Sequence, residues 1–164
     1  MAFLGIETPR EMLTEHLSKE LIYPDIRAIK KDDVVRELSE MVSVSMGGRP
    51  AAEELYKALS EREYIDSTAL ENGVAIPHAK MEGLERPVIA IARSRKGCDF
   101  DSHDKMPTHL FFILLAPSGA FSEHIKLLAR LAKVLSVKGL KEKLLEAPTL
   151  ENIYMCLAEA EKKL

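Results

Sequence analysis

A six-residue apolar run constrains this sequence more than any other feature. Residues 110–115 read LFFILL, so every position is hydrophobic. A segment that is apolar on both faces is typical of a strand in the middle of a sheet that is covered on each side. The run therefore predicts a central strand, and the rest of the fold is expected to be arranged around it.

The middle third of the chain contains other short apolar runs, bounded by Gly, Pro and Asp. Residues 74–76 (VAI) and 88–92 (VIAIA) are predicted strands, and residues 97–100 are predicted to add a short edge strand. Nearer the N-terminus, residues 13–22 are predicted as a short helix. Residues 24–29 are predicted as a strand or an extended connector. The strands thus cluster in the centre of the sequence.

Helical periodicity dominates both flanks of this region. Asp32 is the predicted N-cap of a first long helix, which residues 47–49 end, and Pro50 fits the first turn of the next. After the central strand, Ser122 is the predicted N-cap of a third long helix. Residues 140–145 are expected to form a short helix, and the final helix opens near residues 148–152. The 164 residues are enough for one layered α/β or α+β domain and short for two.

Charge and cysteine usage exclude several classes of protein. The net charge of −3 gives no basic surplus, so neither nucleic acid nor an anionic membrane is an expected partner. Residues 1–7 are not expected to be a secretory signal, because they have no cationic lead and only a brief apolar stretch, and no apolar run approaches the length of a membrane span. Cys98 and Cys156 are far apart, which predicts free thiols and a cytoplasmic protein. A nucleophilic Cys98 is disfavoured, because the adjacent Asp99 raises the pKa of a thiol.

Residues 74–78 end an apolar run in Pro77-His78. This arrangement is predicted to hold one imidazole at the tip of a strand, facing outward. Imidazole changes protonation near neutral pH and is a nucleophile in its neutral form. An anchored, exposed His78 therefore suggests covalent chemistry.

Two distant residues are candidates to join His78. Arg62 lies where the second helix gives way to a connector, and His124 lies in the first turn of the helix after the central strand. Helix N-termini and arginine forks both suit phosphoryl oxygens. The sequence contains no nucleotide-binding P-loop motif. These residues together favour phosphoryl transfer through a carrier that needs neither a metal nor a cofactor.

Residues 73–79 read GVAIPHA and follow Ser67-Thr68. This pattern resembles the signature of the fructose/mannitol-type enzyme IIA domains of the bacterial phosphoenolpyruvate-dependent sugar phosphotransferase system, a family that includes nitrogen-regulatory IIA proteins. The resemblance covers roughly residues 12–161 and implies an α/β fold with a mixed central sheet sandwiched by helices on both faces. It divides the chain into a lead-in, residues 1–11, and a single IIA domain, residues 12–164. Ala79 departs from the glycine of many members but is still small.

The resemblance also implies roles for individual residues. His78 would accept a phosphoryl group from the phosphocarrier HPr on Nε2 and pass it to a cysteine of a IIB component. Arg62 and His124 match the family's arginine and second active-site histidine, and Asn72 stands where a phosphate-binding residue is expected. A turn-forming role is the alternative for Asn72. Ser67 and Thr68 are candidates for phosphoryl contact or for local caps.

Other candidate groups have simpler interpretations. His103 with Asp101 and Asp104 resembles a loose metal site, although charged loops are usually only solvated. His16 and His109 are expected to be packing or surface residues.

Three functions remain open from the sequence. The first is a phosphotransferase that supplies sugar uptake, and the second is a regulator whose phosphorylation state controls a kinase or transporter. The third keeps the fold without the chemistry, as in cytosolic domains of anion transporters that resemble this family. For docking, we expect an apolar ring around His78 that includes Ile76, Met81 and Phe121.

Overall fold

The computed structural model describes residues 12–164, so the predicted lead-in, residues 1–11, lies outside the described residues. This part of the chain forms five strands, five α-helices and two 3-10 turns. The strands are β1 (Leu17–Tyr23), β2 (Val74–Ala75), β3 (His78–Met81), β4 (Val88–Cys98) and β5 (Thr108–Pro117). The helices are α1 (Lys31–Ser45), α2 (Ala52–Ile65), α3 (Phe121–Leu135), α4 (Leu140–Glu146) and α5 (Leu150–Lys162), and the 3-10 turns are Leu13–Glu15 and Glu71–Gly73.

The sheet is mixed, and β5 lies inside it. β5 pairs antiparallel with β4 on one side and parallel with both β2 and β3 on the other. β1 completes the sheet by pairing parallel with β4. The predicted central strand is confirmed, since residues 110–115 are all buried.

Helices cover both faces of the sheet, as predicted. Alternating residues of β4 and β5 enter two separate apolar clusters. One cluster packs Ile91, Phe112 and neighbouring residues against α3, α4 and α5. The other packs Phe111, Ile113 and neighbouring residues against α1 and α2. Within residues 12–164, no helix is long and apolar enough to cross a lipid bilayer.

The predicted helix at residues 13–22 is wrong, because this segment contains a 3-10 turn followed by β1. Its apolar residues Leu17, Leu21 and Ile22 are spaced as on one face of a helix. In the structure they are buried in a strand whose pairing with β4 is irregular between Leu17 and Ile22. That irregularity breaks the alternation by which a strand is recognised. Residues 24–29 form no strand and connect β1 to α1.

Several predicted boundaries are shifted. The N-cap of α1 is Lys30 rather than Asp32, and that of α3 is Ala120 rather than Ser122. Both predicted caps lie in the first helical turn, where the carboxylate of Asp32 also interacts favourably with the helix dipole. α2 begins at Ala52, just beyond the predicted start at Pro50. The final helix begins as predicted near residues 148–152.

The strand edges also differ from the prediction. Residues 97–100 do not form a separate edge strand, because β4 continues through an irregular stretch to Cys98. His78 begins β3 rather than ending a strand. Pro77 has no N–H to donate, yet its carbonyl accepts the Leu114 N–H at 2.9 Å, so the chain stays beside β5 across the break. His78 is therefore held by the ladder on its C-terminal side.

Candidate active site

A cleft of about 480 Å³ lies between the end of α2, the start of β3 and the first turns of α3. It brings together Arg62, His78 and His124, which are far apart in the sequence. The remaining lining residues are Ala58, Glu61, Ile65, Ala79, Lys80, Phe121 and Leu128.

The imidazole of His78 is fixed at both nitrogens. Its Nδ1 lies 2.8 Å from the carbonyl oxygen of Ile76, and its Nε2 lies 3.1 Å from Nε of Arg62. A guanidinium only donates hydrogen bonds, so Nε2 accepts and carries a lone pair. The ring proton therefore lies on Nδ1, which donates to Ile76. This tautomer leaves Nε2 as the nucleophilic atom.

The pKa of His78 is lowered from its ordinary value of 6.5, chiefly by burial of the ring. The charge of Arg62 lowers it further, whereas the Ile76 carbonyl and the Glu63 carboxylate oppose the shift. The net effect favours the neutral imidazole near neutral pH. The lowered pKa and the hydrogen bonds thus favour the same form of His78, a neutral imidazole with its proton on Nδ1.

Arg62 is positioned by the end of α2. It lies in the last turn of the helix, where a cation interacts favourably with the helix dipole. Its Nη1 donates to the Asp66 carbonyl at 2.9 Å, and its Nε donates to His78. The guanidinium is therefore anchored at one end and faces the imidazole at the other.

His124 lies in the first turn of α3 with its ring centroid 5.3 Å from that of His78. Its Nδ1 is buried and has no hydrogen-bond partner within residues 12–164. A proton there would be a buried donor without an acceptor, so a neutral ring with its proton on Nε2 is favoured. Burial, together with the charges of His78 and Lys80, lowers the pKa of His124. The backbone N–H of His124 donates to the carbonyl of Ala120, which is the first hydrogen bond of α3. The backbone N–H groups of residues 121–123 therefore have no acceptor within the helix.

Lys80 is a further cation in the cleft that the sequence reasoning missed. Residues two apart on a strand share a face, so β3 places Lys80 on the same side as His78. Its Nζ lies 4.1 Å from the centre of the Phe121 ring. The two-residue spacing of His78 and Lys80 is visible in the sequence. It indicates a shared face only if a strand starts at His78. Arg62 and Lys80 together make the cleft suitable for an anion.

Asn72 lies away from this cleft. Its backbone N–H donates to the Asp104 carboxylate at 3.0 Å, and its φ of 67° is that of a tight turn. Strand β2 follows Asn72, and its first residue pairs with Leu110 of β5, whereas His78 pairs with Leu114. Four residues of strand separate these positions by about 13 Å. The geometry gives Asn72 the turn-forming role that was its alternative.

The side chains of Ser67 and Thr68 are engaged locally. Thr68 donates its backbone N–H at 2.9 Å to the buried carboxylate of Glu63, and Ser67 donates its hydroxyl to the Phe100 carbonyl at 2.9 Å. A salt bridge of 3.3 Å between Lys31 and Glu63 balances the buried charge. These contacts fix the connector between α2 and β2, and neither hydroxyl lines the cleft.

The loop around His103 does not assemble a metal site. The Asp104 carboxylate accepts hydrogen bonds from Ser102 and from two backbone N–H groups, which lower its pKa to about 2. His103 instead approaches Asp66 at 3.6 Å. Across the described residues 12–164, no group of three or more His, Cys, Asp and Glu side chains is arranged to hold a metal ion.

The thiol of Cys98 lies in the core. Its Sγ–H donates to the Ala28 carbonyl at 3.2 Å, and burial raises the pKa of the thiol. A raised pKa disfavours the thiolate, which is the nucleophilic form. This environment agrees with a packing role.

The apolar surroundings of His78 differ from the predicted ring. Ile76 and Met81 are only 8% and 5% exposed and belong to the core, so neither can contact a partner. Phe121 is 60% exposed and lines the cleft. Ile65 on α2 is 79% exposed and lines the opposite side, and Ile125 on α3 is also exposed. The exposed apolar surface is therefore supplied by the two helices rather than by the strand.

Comparisons with known proteins agree with this geometry. The sequence matches the family described as "Phosphoenolpyruvate-dependent sugar phosphotransferase system, EIIA 2" over residues 15–160. A nitrogen regulatory protein of Bradyrhizobium diazoefficiens is 35% identical over 146 residues, which cover 89% of this chain and 94% of that protein. A fructose-specific EIIABC component from Bacillus subtilis is 36% identical over 152 residues, which cover 92% of this chain and 24% of that longer protein.

A solved structure leads to the same family. Nitrogen regulatory protein IIA-Ntr from Neisseria meningitidis superimposes with a TM-score of 0.79 at 30% identity, covering 87% of this chain and 97% of that chain. The matched region contains Arg62, His78 and His124. The resemblance inferred from residues 73–79 is thereby confirmed, and the chain belongs to the EIIA type 2 family of the phosphoenolpyruvate-dependent sugar phosphotransferase system.

Proposed function

We propose that this protein is a phosphocarrier that accepts a phosphoryl group from HPr on Nε2 of His78 and passes it to a cysteine of a IIB component. The observation that carries the proposal is the fixed tautomer of His78, with Nδ1 bonded to Ile76 and Nε2 facing Arg62 at 3.1 Å. Membership of the EIIA type 2 family supports the class of reaction. The A, B and C components named for the Bacillus subtilis relative support a IIB partner.

In the accepting step, the lone pair of Nε2 attacks the phosphorus atom of the donor in line, and the donor's P–N bond breaks. Any group on Nε2 displaces Arg62 from its present contact and meets the remaining donors of the guanidinium. The Nε2–H of His124 and the ammonium of Lys80 are the other donors that face the cleft. These groups compensate the phosphoryl charge by hydrogen bonds and fixed positive charge.

In the donating step, a cysteine thiolate attacks the same phosphorus atom and the P–N bond to His78 breaks. The hydrogen bond from Nδ1–H to the Ile76 carbonyl favours retention of the ring proton. With that proton in place, the imidazole leaves as a neutral group rather than as an anion. The same contact therefore serves both steps.

The proposal is tested with purified phospho-HPr as the donor. Wild-type protein is expected to take up the phosphoryl group and to do so equally well with a chelator present, since the step uses only protein donors. His78→Ala is expected to take up none. Label uptake by His78→Ala at the wild-type rate overturns the assignment.

A regulatory role is the second candidate. It is favoured by the relative named nitrogen regulatory protein, of which 94% is covered at 35% identity. In this case the phosphorylation state of His78 would control binding to a kinase or a transporter. Capture with phosphorylated and unphosphorylated protein separates the two roles. Transfer to a IIB cysteine supports sugar uptake, whereas state-dependent capture of a protein that is not a sugar permease supports regulation.

A further inference from the structure

We propose that a second cleft, formed by the far part of β4, the start of β5 and the end of α4, binds a small metabolite through its phosphate group. This cleft has a volume of about 290 Å³ and is lined by Arg93, Ser94, Arg95, His109 and Leu145. We call it the Arg93 cleft. The inference is independent of the function proposed for His78.

Arg93 carries the argument because it is only 1% exposed and one end of its guanidinium has no partner. Its Nε donates to the Pro24 carbonyl at 2.9 Å, and its Nη1 donates to the Leu144 and Ala147 carbonyls at 2.8 and 2.7 Å. These contacts hold the guanidinium against the C-terminal end of α4. Nη2 is left buried without an acceptor within residues 12–164. A buried donor of this kind is unfavourable unless water or a ligand satisfies it.

The charged groups that act on Arg93 are one of each sign, Arg95 and Asp25. Within residues 12–164, no carboxylate lies within ion-pair distance of the guanidinium of Arg93 or of Arg95. Asp25 attracts the charge of Arg93 from a greater distance, but its carboxylate already accepts the backbone N–H of Arg95 at 3.1 Å. The two guanidinium groups thus share one cleft without a direct counter-ion.

His109 forms one wall of the cleft. Its Nδ1 donates to the Ser94 carbonyl at 2.8 Å, so Nε2 of the neutral ring is an acceptor and adds no donor to the cleft. The ring fits because residue 97 is glycine, where a Cβ would lie 3.1 Å from Nε2 of His109. Lys141 on α4 does not line the cleft, although its Nζ and Cδ2 of His109 are both 3.8 Å from the position of a Cβ on Gly73.

The number of positive groups favours a phosphate over a carboxylate. A phosphate monoester carries close to two negative charges near neutral pH, which matches the two guanidinium groups of the cleft. A planar fork suits phosphate oxygens, and the guanidinium of Arg93, which three carbonyls already hold, loses little freedom on binding. The volume of the cleft exceeds that of a single phosphate and leaves room for a small organic group.

The Arg93 cleft is separate from the cleft at His78. Arg93 pairs with Leu110 on β5, whereas His78 pairs with Leu114. This register places the two sites about 13 Å apart along the strand. Ligand binding at each site is therefore measurable independently in the same protein.

The test is a titration of the ¹⁵N-labelled protein with inorganic phosphate, glycerol 3-phosphate and acetate, followed by NMR. We expect saturable shifts at residues 93–97, 109 and 145 with both phosphates, and tighter binding of the ester, because it fills more of the cleft. Acetate is expected to bind more weakly. Shifts at residues 58–62 and 78–80 report the His78 cleft and are read separately. Absence of saturable shifts at residues 93–97 and 109 overturns the proposal.

Variants separate a built site from general electrostatic attraction. Arg93→Gln removes contacts to α4 and is expected to affect folding, so the exposed Arg95 is the better target. Arg95→Gln is expected to weaken glycerol 3-phosphate binding roughly tenfold, as for a lost charge-assisted hydrogen bond. Its neighbour Lys96 is exposed, has the same charge and does not line the cleft. If Lys96→Gln weakens binding as much as Arg95→Gln does, or if Arg62→Gln abolishes the shifts at residues 93–97, the site is not the one proposed.

Discussion

Replacing Arg62 by glutamine tests whether its guanidinium stabilises the phosphoryl group that we propose His78 accepts. The guanidinium contacts Nε2 of His78 at 3.1 Å and is anchored on the Asp66 carbonyl at 2.9 Å. Glutamine is shorter and uncharged, so it cannot reach a group on Nε2 with a charged donor. We expect Arg62→Gln to accept phosphoryl groups more slowly than wild type.

The magnitude follows from one charge-assisted hydrogen bond. Such a bond contributes about 1.5–3 kcal/mol. Because about 1.36 kcal/mol corresponds to a factor of ten in rate, the expected loss is roughly 10- to 150-fold. Arg62→Lys keeps the charge but loses the fork, so its expected loss is smaller. Arg86→Gln is the matched control, because Arg86 is an exposed arginine outside the cleft.

The pH dependence gives a second and independent readout. The charge of Arg62 lowers the pKa of His78, so its removal lets that pKa rise. Only the neutral imidazole attacks phosphorus, and the rate therefore falls as the pH drops through this pKa. The deficit of Arg62→Gln relative to wild type is expected to grow as the pH is lowered.

The assay is single-turnover transfer from phospho-HPr, measured by rapid quench over a range of pH. An equal loss in Arg62→Gln and Arg86→Gln would contradict a specific role for Arg62. An acid limb that does not move in Arg62→Gln would contradict the electrostatic part of the reasoning.

Three further predictions concern ionisation and charge. The pKa values of His78 and His124 are lowered from 6.5 in the folded protein, so the unfolded chain binds more protons below that pH. The free energy of unfolding by urea is therefore expected to fall as the pH drops through about 6.5. In His78→Gln this fall is expected to be smaller. An equal fall in both proteins would refute this. The side-chain carboxyl of Asp104 is expected to titrate with a pKa of about 2 by NMR, and a midpoint near the ordinary 3.8 would show that its hydrogen bonds are not formed. Lys80→Gln is expected to slow transfer from phospho-HPr by less than Arg62→Gln does and to raise the pKa of His124. An unchanged titration of His124 would count against the charge interaction between Lys80 and His124.

The central sheet was predictable because its signal is local. The residues 110–115 bury both faces of β5, and no helix of ordinary amphipathic pattern contains such a run. β1 was not predictable in the same way. Its register with β4 is irregular between Leu17 and Ile22, so its apolar spacing imitates that of a helix. The deciding interaction is pairing with a strand some 70 residues away in the sequence, which local periodicity does not contain.

The residues of the candidate site were likewise predictable only in part. His78, Arg62 and His124 were identified from a motif and from offsets, and the structure brings them into one cleft. Lys80 was missed, because its position depends on a strand that starts at His78 and shares a face at every second residue. Asn72 was misplaced, because its turn directs it toward Asp104 rather than toward the imidazole. Whether residues next to a motif enter a site depends on the backbone direction after it.

The most direct test of the account is to locate the transferred phosphoryl group at a single nitrogen. Protein labelled with ¹⁵N at histidine is phosphorylated by phospho-HPr, and the ¹⁵N–³¹P coupling is recorded. The hydrogen bonds of His78 predict one phosphorylated residue, His78, with phosphorus on Nε2 and the proton kept on Nδ1. Phosphorus on Nδ1 of His78, or on His124, would contradict the central claim.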